Sequence, residues 1–306
     1  MSAVHGIHHV TAISGDPQEN LEFYTGRLGL RLVKRSVNQD VPDTYHLFYA
    51  DAEGHPGTDL TFFPWPQMPP GRKGAGLAVE VGFAVPEGSL SFWAERLEGG
   101  TPERRFGENV LSFQDPHGLG LSLTEASGPR DWTPWTDSSV PERHQIRGFH
   151  SVRLWERNLA VTSRFLGQAL GFEPAAEEDG WHRFGVEGGG SGKWVEVREL
   201  PGERLGAWGT GAVHHVAFRV RDDEEKAEIQ RRVRAAGSQP TPLIDRFWFH
   251  SVYFKEPGGV LFETATEEPG FTVDEDLAHL GERLILPPWL EPHRNEIEAV
   301  LPPLKV

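Results

Sequence analysis

The sequence predicts an α+β fold of four βαβββ modules paired into two domains, and three observations carry that prediction. A strand-like motif recurs as Gly6-Ile7-His8-His9-Val10-Thr11, Gly148-Phe149-His150-Ser151-Val152 and Ala212-Val213-His214-His215-Val216-Ala217. After the first two copies, Phe23-Tyr24 precedes Leu28-Gly29-Leu30 and Phe165-Leu166 precedes Leu170-Gly171-Phe172 at the same spacing. A third correspondence links Asp115-Pro116-His117-Gly118-Leu119-Gly120-Leu121-Ser122 to Glu256-Pro257-Gly258-Gly259-Val260-Leu261-Phe262-Glu263. Self-similarity on this scale marks a repeated supersecondary unit.

Each opening motif alternates apolar with other residues and reads as a strand. An amphipathic helix follows, burying Leu21, Phe23 and Leu28 in one unit and Leu159, Phe165 and Leu170 in another, and ending at a glycine suited to a C-cap. Turn-punctuated strands complete each unit, giving spans of roughly 6–65, 77–126, 147–200 and 211–267. The segment Pro64-Trp65-Pro66-Gln67-Met68-Pro69-Pro70 separates the first two units, because proline has no N–H to extend a ladder. A linker over 129–146 holds Pro129, Pro134 and Pro141, with Trp132 and Trp135 read as packing residues. It divides the chain into an expected N-terminal domain, 1–128, and C-terminal domain, 147–268, of two modules each. The extension 269–306 starts acidic at Asp274-Glu275-Asp276 and turns apolar over Leu284–Leu290, so it is expected to pack and to cover Trp289.

Composition narrows the functional classes. With 38% hydrophobic and 25% charged residues the chain reads as soluble and globular. A net charge of −15 without a basic run argues against nucleic acid or an anionic membrane as partner. There are no cysteines, so a metal must be held by His, Asp or Glu. Met1-Ser2-Ala3-Val4-His5 shows no signal-peptide pattern and no apolar run is long enough to span a bilayer, which makes the cytoplasm the expected location.

Two His-bearing strands and one carboxylate strand supply a 2-His-1-carboxylate set. Successive strand residues face opposite ways, so one His of each pair can reach a given metal. His215 shares its face with the small Ala217, whereas His214 goes with Val216, Phe218 and Val220, which suit packing on a helix. By the same parity His9 goes with Thr11, and His8 with Val10 and Ala12. The expected ligands are His9, His215 and Glu263. Where unit four has Glu263, unit two has Ser122 and unit one Phe62, so one triad can form, from units one and four. His150 is read as occupying the ligand position of unit three but as structural, and His46, His55, His117 and His144 as turn or surface residues.

Taken together, His8-His9, Lys34-Arg35, Tyr45-His46-Leu47, Gly71-Arg72-Lys73-Gly74, Arg147–Ser151, His214-His215 and Pro257–Val260 with Phe262-Glu263 resemble the vicinal oxygen chelate superfamily. Within it they resemble the hydroquinone-cleaving ring dioxygenases, such as the 2,6-dichlorohydroquinone 1,2-dioxygenases. The resemblance covers almost the whole chain. It implies open mixed-sheet barrels and an extradiol-type oxidoreductase binding a small aromatic substrate and O2 at Fe(II), with Mn(II), Zn(II) or Ni(II) able to fill the same ligands. It also implies roles for Tyr253, His214 and His8 in proton chemistry and for Arg246 in holding substrate; Thr11, on the face of His9, is expected to touch substrate. A salt bridge of Arg246 to Asp245 or Glu256 stands beside that reading. A glyoxalase-like isomerase or lyase using its metal as Lewis acid, and a small-aromatic binding protein, remain open, as does pairing of copies through edge strands.

Overall fold

The computed structural model describes residues 4–100, 102–128 and 130–306; the signal-peptide reading of Met1–Ala3 and the linker's Pro129 lie outside it. All four modules form. Module one runs β1 (Ile7–Ser14), α1 (Pro17–Leu21), β2 (Arg31–Val37), β3 (Tyr45–Ala50) and β4 (Asp59–Pro64). Module two runs β5 (Leu77–Val85), α2 (Leu90–Arg96), β6 (Glu103–Arg105), β7 (Glu108–Gln114) and β8 (Gly120–Glu125). Module three runs β9 (Phe149–Glu156), α3 (Leu159–Phe165), β10 (Glu173–Glu178), β11 (Trp181–Gly185) and β12 (Trp194–Glu199). Module four runs β13 (Val213–Val220), α4 (Asp223–Ala235), β14 (Ile244–Asp245), β15 (Phe249–Lys255) and β16 (Leu261–Pro269), and α5 (Arg294–Val300) lies in the extension.

Local chemistry explains the helix boundaries. Asp16 caps α1 by accepting from the N–H groups of Gln18 and Glu19, and Asn158 caps α3 through that of Val161. Both helices continue as a π turn and stop at a glycine in the left-handed region, Gly29 (φ 71°) and Gly171 (φ 83°). Leu21, Leu28, Phe165 and Leu170 are buried as expected, while Phe23 and Leu159 are half-buried.

The strands assemble into two curled eight-stranded sheets, ordered β14-β15-β16-β13-β1-β4-β3-β2 and β10-β11-β12-β9-β5-β8-β7-β6. This corrects the partition into contiguous domains 1–128 and 147–268. Module one shares a sheet with module four through antiparallel β1–β13, and module two with module three through β5–β9. Each module presents the same opening strand edge, so the repeat identifies equivalent strands without choosing their partners. The linkers after modules one and three instead pair with one another, with Gly71 N–H donating to Thr210 C=O at 2.9 Å and Arg72 N–H to Ala207 C=O at 3.0 Å.

The extension packs on the first barrel. Fully buried Lys34 on β2 meets Asp274 at 2.6 Å and Glu275 at 2.5 Å and donates to Phe271 C=O. Leu286 and Ile297 bury against Val37. Trp289 stays 45% exposed, contrary to expectation, with its ring perpendicular to that of Phe247 at 6.1 Å between centroids. In the linker, Trp132 and Trp135 lie under the guanidinium groups of Arg147 and Arg31.

Candidate metal centre

Three adjacent strands of the first sheet, β1, β13 and β16, bring His9, His215 and Glu263 together, all buried. Their facing atoms form a near-equilateral triangle: His9 Nε2 to His215 Nε2 3.2 Å, His9 Nε2 to Glu263 Oε2 3.4 Å, and His215 Nε2 to Glu263 Oε2 3.0 Å. Three ligands on one octahedral face with metal–donor bonds of about 2.1 Å stand about 3.0 Å apart. Oε2 makes no hydrogen bond although it is fully buried, a cost that a cation between the three donors removes. Oε1 is held by the Ser251 hydroxyl, a partner that sequence reasoning missed. The residues therefore fit a divalent ion. Among the described residues no other group of three such ligands converges this closely.

The neighbouring histidines do not obey strand parity, and the register shows why. Along β1–β13, Ile7 faces Phe218 and His9 faces Ala217, leaving His8 as an extra residue; Thr11 faces His215 and Ala12 faces Val213, leaving His214 as an extra residue. Each is the inserted residue of a β-bulge, a device that re-aims side chains. His8 Nδ1 lies 2.9 Å from His9 Nδ1, and His214 Nδ1 lies 2.8 Å from His215 Nδ1. His8 Nε2 donates to Thr266 C=O at 3.1 Å, so its Nδ1 must accept from His9. That fixes the His9 tautomer with an Nε2 lone pair toward the triad. His8 itself stays off the cavity wall, buried against Phe249.

A cavity of about 390 Å³ opens over the ligands, walled by Phe48, Phe63, Trp65, Trp248 and Phe249. Tyr253, register partner of Glu263, lines it, and its hydroxyl accepts from Arg246 Nε at 3.2 Å. Arg246 forms a two-pronged ion pair with Asp40, at 3.2 and 2.9 Å, rather than with Asp245 or Glu256. Thr11 does not line the cavity: its hydroxyl bonds Thr61 at 2.7 Å, and Thr61 bonds His46 at 2.8 Å. The residue that does reach the cavity is His46, read earlier as a turn residue; it lies on β3, whose Tyr45-His46-Leu47-Phe48 alternation was the available signal.

Electrostatics separate the groups by role. Burial would raise the Glu263 carboxyl, but the electrostatic influence of the His9 and His215 imidazoles beside it holds it well below the usual range. Burial, with His9 and His215 beside them, pushes His8 and His46 well below the ordinary imidazole value and His214 down to about 3. Burial and the Glu263 charge push the Tyr253 phenol up, so it remains a hydroxyl donor at neutral pH.

The second barrel has the same bulges and different chemistry. His150 is its inserted residue, the counterpart of His8 rather than of a ligand, and it bonds Ser191 at 2.7 Å and Glu108 at 3.2 Å. The triad positions carry Ser151, Glu80 and Ser122, matched through the same registers. Arg105 takes Glu80 at 2.6 Å, while Arg153 and Arg183 take Glu196 at 3.0 and 2.7 Å. Glu80, at the position of His215, is thus already paired with a cation of the protein itself.

Comparison with known proteins agrees with this architecture. The sequence model of the Glyoxalase/Bleomycin resistance protein/Dioxygenase superfamily matches residues 6–123 and 148–264. A Bacillus subtilis (strain 168) protein, named as the candidate ring-cleaving dioxygenase MhqO, is 42% identical over 98% of this chain and 97% of its own. The chlorohydroquinone/hydroquinone 1,2-dioxygenase of Sphingobium indicum is 35% identical over 96% of this chain and 95% of its own. A solved structure of a candidate dioxygenase from B. subtilis superimposes with a TM-score of 0.93 at 40% identity, covering 100% of this chain and 99% of that one. Maize glyoxalase I, 16% identical, shares the fold at a TM-score of 0.62, over 86% of this chain and 92% of its own.

Proposed function

The chain belongs to the Glyoxalase/Bleomycin resistance protein/Dioxygenase superfamily, and from that premise we propose that it is an Fe(II)-dependent dioxygenase opening hydroquinone-type rings with O2. The observation that carries the proposal is the open-faced triad of His9, His215 and Glu263 beneath an aromatic cavity. A set with free positions suits oxygen chemistry better than a closed structural site. The names of the full-length relatives point to the same reaction class. Extradiol-type opening, between a hydroxylated carbon and its neighbour, is the form of cleavage proposed. The enzyme would act in the cytoplasm; no described helix is long and apolar enough to cross a membrane.

His9, His215 and Glu263 would hold Fe(II), which would supply the redox chemistry that couples ring and O2. The protein's own side chains do the remaining work. Phe48, Phe63, Trp248 and Phe249 flank the ring and exclude water. Tyr253 accepts from Arg246, which leaves its own proton free to donate to a substrate oxygen. Arg246 places a cation beside that oxygen and favours a phenolate. His214, on the cavity wall, accepts from the His215 Nδ1–H at 2.8 Å and so keeps its Nε2–H to donate to a substrate oxygen. His8 acts through His9, as a positioning residue.

The test is oxygen uptake by anaerobically Fe(II)-loaded protein with hydroquinone, methylhydroquinone, chlorinated hydroquinones and catechol. Uptake with a ring-opened product, reduced to background in Glu263→Ala, is the expected result. No uptake across the panel with metal content confirmed contradicts it, and points to the isomerase or binding alternatives.

A further inference from the structure

Of the Pro64–Pro70 segment, which separates the first two modules, Trp65 alone lines the metal-site cavity. The segment builds one wall of a second cavity of about 700 Å³. Pro64, Trp65 and Met68 form that wall, with Trp208 opposite and Val300 and Pro302 of the extension along the outer side. The linkers bearing Met68 and Trp208 are tied by backbone hydrogen bonds, Thr210 N–H to Pro69 C=O at 3.1 Å and Gly71 N–H to Thr210 C=O at 2.9 Å. Tyr45 anchors the tail by donating to Pro302 C=O at 2.9 Å. Proline-rich, cross-tied walls leave little freedom to lose when something binds.

This cavity adjoins the metal-site cavity. Trp65 and His214 line both, and Phe63 contacts both side chains, at 5.3 and 5.5 Å between ring centroids. Trp208 stacks on His214 at 4.4 Å and 24° yet stays 40% exposed. Most of the remaining lining is proline and other apolar groups, with Thr44, Tyr45 and Gln67 as uncharged polar members and Asp43 as the one carboxylate. A large exposed apolar surface beside a reactive site marks a binding surface. The absence of any lysine or arginine among its lining residues disfavours an anion.

We propose that this outer cavity is a substrate subsite for a neutral apolar substituent, such as an alkyl chain, on a hydroquinone whose ring sits over His9, His215 and Glu263. The inference rests on the ring-cleaving reading and names its substrate class: alkyl-substituted rather than carboxylated hydroquinones. The chain passes over the Trp65–His214 rim and lies between Met68, Trp208 and Val300.

The experiment compares kcat/KM of the Fe(II)-loaded enzyme for methylhydroquinone, hexylhydroquinone and a carboxylate-ended analogue of equal length. Hexylhydroquinone is expected to lead methylhydroquinone by at least about tenfold, below the ceiling of about fourfold per buried methylene. The carboxylated analogue loses that lead. In the Met68→Glu/Val300→Glu variant the lead vanishes while methylhydroquinone turnover is retained. Equal kcat/KM for the methyl and hexyl compounds in the wild type overturns the subsite and leaves ring cleavage standing. Anaerobic calorimetry on the wild type separates the two ideas. Tighter binding of the hexyl compound without turnover of any compound sinks ring cleavage and keeps the subsite, and equal binding of the methyl and hexyl compounds overturns the subsite.

Discussion

His9 can present an Nε2 lone pair because His8, pinned through Nε2 to Thr266 C=O, must accept from His9 Nδ1. Replacing His8 by Phe preserves an aromatic ring against Phe249 and deletes that acceptor. Metal affinity should fall by about 10- to 100-fold, the usual cost of a lost partner behind a ligand, with folding intact. A binding isotherm for Fe(II) or Co(II) measures it, and an unchanged Kd would refute the tautomer argument. In the sequence, strand parity and the Ala217 neighbour pointed to His9 and His215, and Glu263 was the carboxylate at the site-facing end of its strand; the fold brings these three side chains together. Parity misplaced His214 because a bulge inserts a residue without a compositional mark. It could not foresee Arg246 joining Asp40 either, since the partners lie 206 residues apart.

Among the elements, the extension has more to do than cover the barrel. Asp274 binds Lys34 and also accepts from the Trp248 indole N–H at 2.9 Å, and Trp248 walls the reaction cavity. Asp274→Ala removes both partners. A hydrogen bond to a charged group contributes about 1.5–3 kcal/mol, so a KM about tenfold higher is expected, with metal content unchanged. Steady-state kinetics beside metal analysis checks this; lost metal with an unchanged KM would contradict it. The acidic start and apolar middle of the extension made its packing legible. Its anchor was not, because a buried lysine on β2 looks like any surface lysine until its partners are placed.

At the scale of the whole molecule, four copies of one module bring together one group of three candidate metal ligands among the described residues. The repeats made the modules visible, and the sole carboxylate at Glu263 showed that one complete triad could form. Which copies share a barrel was hidden, because every copy opens with an equivalent strand. Chemistry then divides the barrels: the first keeps His, His and Glu around open space, and the second fills the matching positions with Ser151, Ser122 and an Arg105-paired Glu80. The most direct test is metal stoichiometry by anaerobic equilibrium dialysis of wild type, Glu263→Ala and His150→Ala. The account predicts one divalent ion per chain in the wild type and in His150→Ala, and none tightly held in Glu263→Ala. Two ions per chain, or a full complement in Glu263→Ala, would contradict it.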